Sequence, residues 1–474
     1  MSAASPGERI VTGRGTSAEA ARTTQGATAW PAPPAELVAI RTLPREPRYA
    51  ALSSTYMRRG TPAAAFSARN AEDVGAVVAY AAEVRRQTGE RVPFSVRSGG
   101  HGISGAATNS GGIVLDLSGL SRVRIADPEA GIFTAEAGAT WGAVARELAP
   151  FDRALTSGNF GGTGVGGLVT AGGIGFFARS QGLTLDHARR LHVVTADGEA
   201  TWVDRLHDPE LFWALRGGAT QGGIVIDAEL DAPLLGSAAG GATVIHHEVQ
   251  YLIDDLAAFV RGWGDWVRES PRELESFLML QPTGDGRTVA QARNLWANDR
   301  LDEARPTLEA GLNIARVLDQ HATAAPYPRL VPDPGRPHTR PPLDMRAALV
   351  DSANEDLGAA IGEVLAHPAT MLAELRALGG AVSDVSAAET AWAGRHQEAF
   401  VASWAHPLGD AAVGASFASV QGLATGSYGA YSTDTSAAAA ERVWPGETGR
   451  RLRAVADRVD PERLFDQGLV LRSE

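Results

Sequence analysis

Arg97-Ser98-Gly99-Gly100-His101-Gly102 follows a short strand-like run, Val92-Pro93-Phe94-Ser95-Val96. Its three glycines free the backbone for positive φ and for close approach to a ligand. Consecutive N–H groups in such a turn form an anion cradle that suits a diphosphate. A nucleophilic imidazole stands in the middle of it. A second dense glycine region lies at 158–175, where nine of 18 residues are glycine. Average glycine usage is about 7%, so the chain has two separate segments suited to close backbone approach.

Working outward, Ala71 to Gln87 carries apolar residues at helical spacing, with Asn70 placed to cap it. Strands are expected at Gly112–Leu117 and Ile132–Ala137, and Thr140 precedes a helix holding Trp141, Val144 and Leu148. His192–Thr195 and Ala200–Val203 flank Ala196-Asp197-Gly198-Glu199, a hairpin turn. A helix at Leu211–Leu215 and a strand at Ile224–Leu230 follow. From residue 236 the texture changes. Strand-like runs at Thr243–Leu252, Ser276–Gln281 and Thr288–Leu295 alternate with amphipathic helices, one predicted at Thr307–Leu318 with Pro306 at its start. Seven prolines in 326–342 predict an extended loop or lid. Helical segments return at Ala437–Val443 and Arg450–Arg458, separated by Pro445 and Gly446.

The chain has 474 residues, enough for two or more domains, and its net charge of −12 argues against nucleic acid or an anionic membrane as partner. No run of 18 apolar residues predicts a membrane span. Cysteine is absent, which excludes disulfides, thiolate metal sites and a cysteinyl cofactor link. Lysine is absent too, so all 43 basic residues are arginine and Schiff-base chemistry on a lysine is impossible. The arginine, alanine and glycine bias suggests a GC-rich, bacterial genome. The first 30 or so residues lack a basic segment followed by an apolar one, so a cytoplasmic location is expected.

Gly162-Thr163-Gly164-Val165-Gly166-Gly167 also fits GxGxxG, with Asp186 at the distance of a ribose contact. A Rossmann site needs that pattern between an apolar strand and a helix. Pro150–Asn159 is a poor strand, and Gly172, Gly173 and Gly175 would each weaken a following helix by about 1 kcal/mol.

The glycine turn resembles the flavin-attachment loop of the FAD-linked oxidases of the vanillyl-alcohol oxidase and berberine-bridge-enzyme type, which carry a PCMH-type FAD domain. Four later segments resemble the same family in the same order. They are Gly158–Gly175, Val193 to Gly198, Leu211 to Gly218 with Gly223-Ile224-Val225, and Asp460-Pro461 with Leu464-Phe465. The likeness covers roughly 60–235 well and 390–470 loosely.

The resemblance implies an α+β fold with a two-part FAD-binding domain and a substrate domain whose antiparallel sheet is backed by helices. The implied division is an N-terminal arm (1–44), an FAD-binding domain (45–235), a substrate domain (236–425) and a C-terminal return to the FAD-binding domain (426–474). It implies FAD attached covalently through His101. Cofactor contacts are expected at Arg97, Ser98, Gly99, Gly100, Gly102, Thr163, Gly164, Gly167, Gly172, Gly173, Gly175, Val194, Gly223, Ile224 and Val225. Arg97 has two readings, a partner for the diphosphate or for an acidic side chain. Many members attach FAD a second time through a cysteine where this chain has Phe160, so a single link is expected. Thr163 replaces an aliphatic residue tied to oxygen access. Gln221-Gly222 replaces Asn-Phe, and Trp392-Ala393-Gly394-Arg395 and Tyr431-Ser432-Thr433 take the places of two further family segments.

The implied activity is oxidation of an alcohol, amine or phenolic small molecule in secondary metabolism, with molecular oxygen as acceptor. The alternatives are a redox-neutral cyclase or isomerase, an oxygenase, a flavin dehydrogenase, or a flavin-binding protein without catalysis. Tyr431 and Tyr428 are the candidate catalytic bases, each with the alternative of an aromatic core residue whose hydroxyl is satisfied. His338 and Arg340 are candidate substrate contacts in the proline-rich segment. His246-His247 read as solvent-facing strand residues, and no metal site is expected.

Overall fold

The computed structural model describes residues 30–333, 342–407 and 410–471, without the side chains of 410–412. Three sheets organise them. The first contains β1 (Arg41–Thr42), β2 (Ala64–Ser67), β3 (Phe94–Arg97) and β4 (Ile113–Asp116) in the order β1-β2-β4-β3, with β4 parallel to both β2 and β3. The helix Ala71–Thr88 makes the crossover from β2 to β3. The Asn70 side chain accepts from Asp73 N–H at its start, and Gly89 in the left-handed region ends it. Its Val74, Val77, Val78, Ala81 and Val84 pack on Phe66, Phe94 and Leu115 of the sheet.

The second sheet contains β5 (Val123–Asp127), β6 (Ile132–Glu136), β7 (Ala188–Val194), β8 (Ala200–Asp204) and β9 (Ile224–Asp231), ordered β5-β6-β9-β7-β8 and antiparallel throughout. Two C-terminal helices, Ala437–Val443 and Gly446–Val459, pack Ala440, Leu452 and Val455 into its core beside Leu211 and Trp213.

The third sheet spans the centre of the chain. β10 (Thr243–Ile253), β11 (Leu274–Pro282), β12 (Thr288–Trp296), β13 (Arg316–Pro326), β14 (Asp344–Val350), β15 (Thr370–Ala377), β16 (Ala399–Ala405) and β17 (Ala424–Gly426) run in the order β13-β10-β12-β11-β15-β16-β14-β17. Helices Leu256–Glu269 and Glu355–Ala366 cover one face. Burial of Trp263, Phe259, Leu357 and Ile361 between helices and strands makes the largest hydrophobic cluster. The α+β class, with an antiparallel sheet backed by helices, is therefore observed. No described helix is long and apolar enough to cross a membrane.

Buried arginines stitch the central sheet to the glycine-rich region. Arg179 donates to the carbonyls of Leu274 (2.9 Å) and Leu378 (3.1 Å). Arg395 donates both terminal nitrogens to Asp186 at 2.8 Å, and Phe176 stacks on Phe277 with centroids 4.9 Å apart. Asp186 is thus committed to Arg395 and to Leu183 N–H. The GxGxxG stretch leads into a seven-residue helix, Val165–Ala171, with no strand before it. The Rossmann reading fails on both counts.

Four expectations need correction. The helix predicted at Thr307–Leu318 is at Leu301–Gly311, with Pro306 inside it. Asp302 and Glu303 favour the earlier start by facing the positive end of the helix. Residues Arg316–Pro326 instead form the edge strand β13, held by pairing along β10. His246 and His247, on the interior strand β10, are buried rather than solvent-facing. The last part of the expected N-terminal arm is ordered structure: Leu37 is buried and β1 pairs with β2. The final helix starts at Gly446, directly after Pro445. Of the proline-rich segment, residues 334–341, including His338 and Arg340, lie outside the described residues, as do residues 1–29.

Arg395 is fully buried, and its removal strands the Asp186 carboxylate. Arg395→Ala should destabilise the protein by about 3–5 kcal/mol, read as a lower midpoint of urea unfolding.

Candidate active site

The turn at Ser98–Gly102 leaves the carboxyl end of β3, where crevices open in α/β sheets. Arg97 anchors its base. Its guanidinium donates to Ser54 O at 2.9 Å and to Ala51 O, and lies 3.9 Å from the buried Asp116 carboxylate, its register partner on β4. Gly100 adopts φ 73° above it. The second glycine segment touches this turn backbone to backbone. A Cβ on Gly99 would stand 2.3 Å from Gly164 N, and one on Gly164 would stand 2.2 Å from Gly99 N. Gly164 starts the helix Val165–Ala171, which is tied to the rest by Val165 N–H to Ala139 O and Gly166 N–H to Ala137 O.

Both segments line one cavity of about 420 Å³, within the usual range for a small-molecule site. Ser98, Gly99, Gly100, His101, Gly102, Thr163, Gly164, Gly167, Gly223, Ile224 and Val225 all line it. The remaining expected contacts do not. Arg97 is turned to the carbonyls below, Gly172 packs against Trp392 and Tyr428, Gly173 against Thr184, and Gly175 against Ser157. Val194 is in the core beneath the first sheet.

His101 is held between Tyr56 (centroids 5.1 Å apart, stacked) and Phe160 (5.0 Å). Its Nε2 is buried and has no hydrogen-bond partner among the described residues. Burial, with the Arg97 charge second, lowers its pKa to about 4, so the imidazole is neutral at neutral pH. Gly102 and Gly167 have nothing within 4 Å of where a Cβ would be, so two strips of bare backbone border the cavity. A half-buried imidazole with an unpartnered, buried Nε2 between bare glycine strips fits FAD.

The central sheet and the C-terminal segment supply further lining. Tyr431 and Tyr428 both line the cavity, stacked with centroids 5.7 Å apart. Tyr428 Oη accepts from Gly173 N–H at 3.3 Å. Tyr431 Oη accepts from Arg376, whose Nε donates to Glu374 Oε1 at 2.6 Å. Trp404 Nε1 completes the chain by donating to Glu374 Oε2 at 3.2 Å. Burial raises the pKa of both tyrosines, and the Arg376 charge opposes it. Both are therefore neutral phenols at neutral pH. Arg293 and Met279 complete this lining. Sequence reasoning missed Arg293, Glu374, Arg376 and Trp404. Their signal is charge at alternate positions of an otherwise apolar run, Glu374 and Arg376 in β15, which places both on one face. No group of three or more metal-ligating side chains occurs among the described residues.

Residues 62–204 match the FAD binding domain family. The chain is 39% identical over 242 residues to an FAD-dependent monooxygenase of Fusarium proliferatum, covering 51% of this chain and 44% of that protein. It is 36% identical over 241 residues to the glucooligosaccharide oxidase of Sarocladium strictum, covering 49% and 46%. It thus spans under half the length of these two curated relatives. The crystal structure of 6-hydroxy-D-nicotine oxidase from Arthrobacter nicotinovorans superposes with a TM-score of 0.78 at 21% identity, covering 92% of this chain and 98% of that one. Residues 62–204 thus form an FAD binding domain, and the described chain has the fold of the FAD-linked oxidase 6-hydroxy-D-nicotine oxidase.

Proposed function

We propose that this chain is an FAD-dependent oxidase of a small alcohol, amine or phenol, with molecular oxygen as acceptor and FAD held covalently through His101. The observation that carries it is His101 itself, neutral and unpartnered at its buried Nε2 on a glycine turn facing the cavity. In this reading 45–235 and 426–474 hold the cofactor, and 236–425, joined by Tyr431, faces the substrate.

Bound FAD supplies a hydride acceptor for the substrate carbon. The chain's own residues do the rest. The Gly99–Gly164 contact locks the two segments that border the cofactor. The glycine turn offers backbone N–H groups to negative charge. Tyr431 holds the proton-bearing heteroatom of the substrate. Arg376, donating to its oxygen, stabilises the phenolate when Tyr431 acts as base, and Glu374 holds Arg376 in place. Monooxygenation is the activity named for the Fusarium relative, and the products separate the two. An oxidase releases one hydrogen peroxide per turnover and puts no oxygen atom from O₂ into the product.

Acid precipitation of the purified protein should leave the yellow colour in the pellet, and His101→Ala should release it to the supernatant. Colour freed from the wild type would remove the covalent assignment. Flavin attachment should be insensitive to pH through the neutral range and fail as pH approaches about 4, where His101 protonates. The folded value lies below the ordinary 6.5, so the apo-protein should lose stability as pH falls from 6.5 towards 4.

Gly167→Ala places a methyl group in open cavity within a helix. The apo-protein should keep or gain stability, by up to about 1 kcal/mol, while FAD retention falls tenfold or more. Thermal melting and flavin content together check this. Tyr431→Phe should lower kcat/KM by about a hundredfold. Because burial raises the phenol's pKa, wild-type turnover should climb with pH into the alkaline range. The variant's profile should be flat there.

A further inference from the structure

Cα register sets Arg293, Phe277, Arg376 and Phe400 abreast across β12, β11, β15 and β16. Two guanidiniums share an aromatic platform in this row. Arg293 Cζ lies 4.9 Å from the Phe176 centroid, Arg376 Cζ lies 4.7 Å from Phe277, and the two rings stack. The two cations differ in one respect. Arg376 is neutralised by Glu374 and also bonds Tyr431. Arg293 makes no hydrogen bond or ion pair among the described residues, and its Nε is buried without a partner. Its cross-strand neighbour Glu248 is exposed beside His246, 3.9 Å away, and acts on Arg293 only as a nearby charge, without an ion pair.

The charged side chains lining the cavity are Arg293, Arg376 and Glu374, with His101 neutral. Two positive charges and one negative leave a single positive charge on the wall. An unpaired guanidinium in a partly buried position calls for an anion. One planar fork matches a carboxylate, and a monoanion balances the net charge. The surrounding wall is apolar, with Met57, Met279, Met345, Trp404 and Ile174. The glycine turns line the same cavity from other segments, which do not carry Arg293.

We propose that the substrate is a largely apolar small molecule bearing a carboxylate, and that Arg293 binds that carboxylate. This rests on the reading of the cavity as the substrate site of an FAD enzyme.

Calorimetric titration of the FAD-loaded protein with benzoate and with benzamide, its uncharged counterpart of the same shape, tests it. Benzoate should bind about ten- to a hundredfold more tightly than benzamide. Arg293→Met should erase that preference and keep its flavin. Arg293→Lys should retain a preference of several-fold, which keeps the test decisive if the methionine variant fails to fold. Equal affinities in the wild type, no benzoate binding up to about 10 mM, or a preference that survives Arg293→Met would overturn the proposal. Loss of flavin from Arg293→Met would overturn it too, by assigning the cation to the cofactor. A wild-type preparation without flavin counts against the cofactor reading alone, and the benzoate preference is then read on the apo-protein.

Discussion

Everything in the cavity depends on the contact between Gly99 and Gly164. Two segments 65 positions apart in sequence meet there without side chains, at a separation no Cβ could enter. The first is fixed from below by Arg97, which reaches the Ala51 and Ser54 carbonyls and the Asp116 carboxylate. The second is fixed by the capped helix Trp141–Leu148 and by backbone bonds to Ala137 and Ala139. His101, Thr163, Gly102 and Gly167 take their places on the cavity wall as a result of that contact.

A chain without lysine uses arginine inside as well as outside. Arg179, Arg376 and Arg395 are all buried, and each forks to more than one partner. The planar guanidinium lets one side chain hold several carbonyls or a carboxylate at once. Arg179 and Arg395 join the central sheet to the glycine-rich segment, so the segments lining the cavity are held by directional bonds as well as apolar packing. Arg376 applies the same property to the site, fixing a phenol and a carboxylate around one planar group.

Much of the fold could be read from local signals. Asn70 and Thr140 cap the helices that follow them, and the Ala196–Glu199 turn joins two strands where its composition predicts. These features depend on a few neighbouring residues. Errors occurred where distant partners decide. Arg316–Pro326 is a strand because β10 lies beside it, and the burial of His246 and His247 depends on packing against the faces of the sheet. The site divides the same way. His101 and the glycines of both loops are visible in sequence because bare backbone is a compositional signal. Arg293, Glu374 and Trp404 come together only through the cross-strand register of the central sheet, which no local pattern states.

The clamp on His101 has one more consequence. Tyr56 and Phe160 border the imidazole, and Phe160 is 42% exposed although aromatic residues usually bury that area. Their contact limits the ring to a narrow range of rotations. The orientational freedom that a free side chain loses on bonding has already been given up when the loop folds. The direction of Nε2 is thus set when the loop folds, and the cost of setting it falls on the stability of the loop.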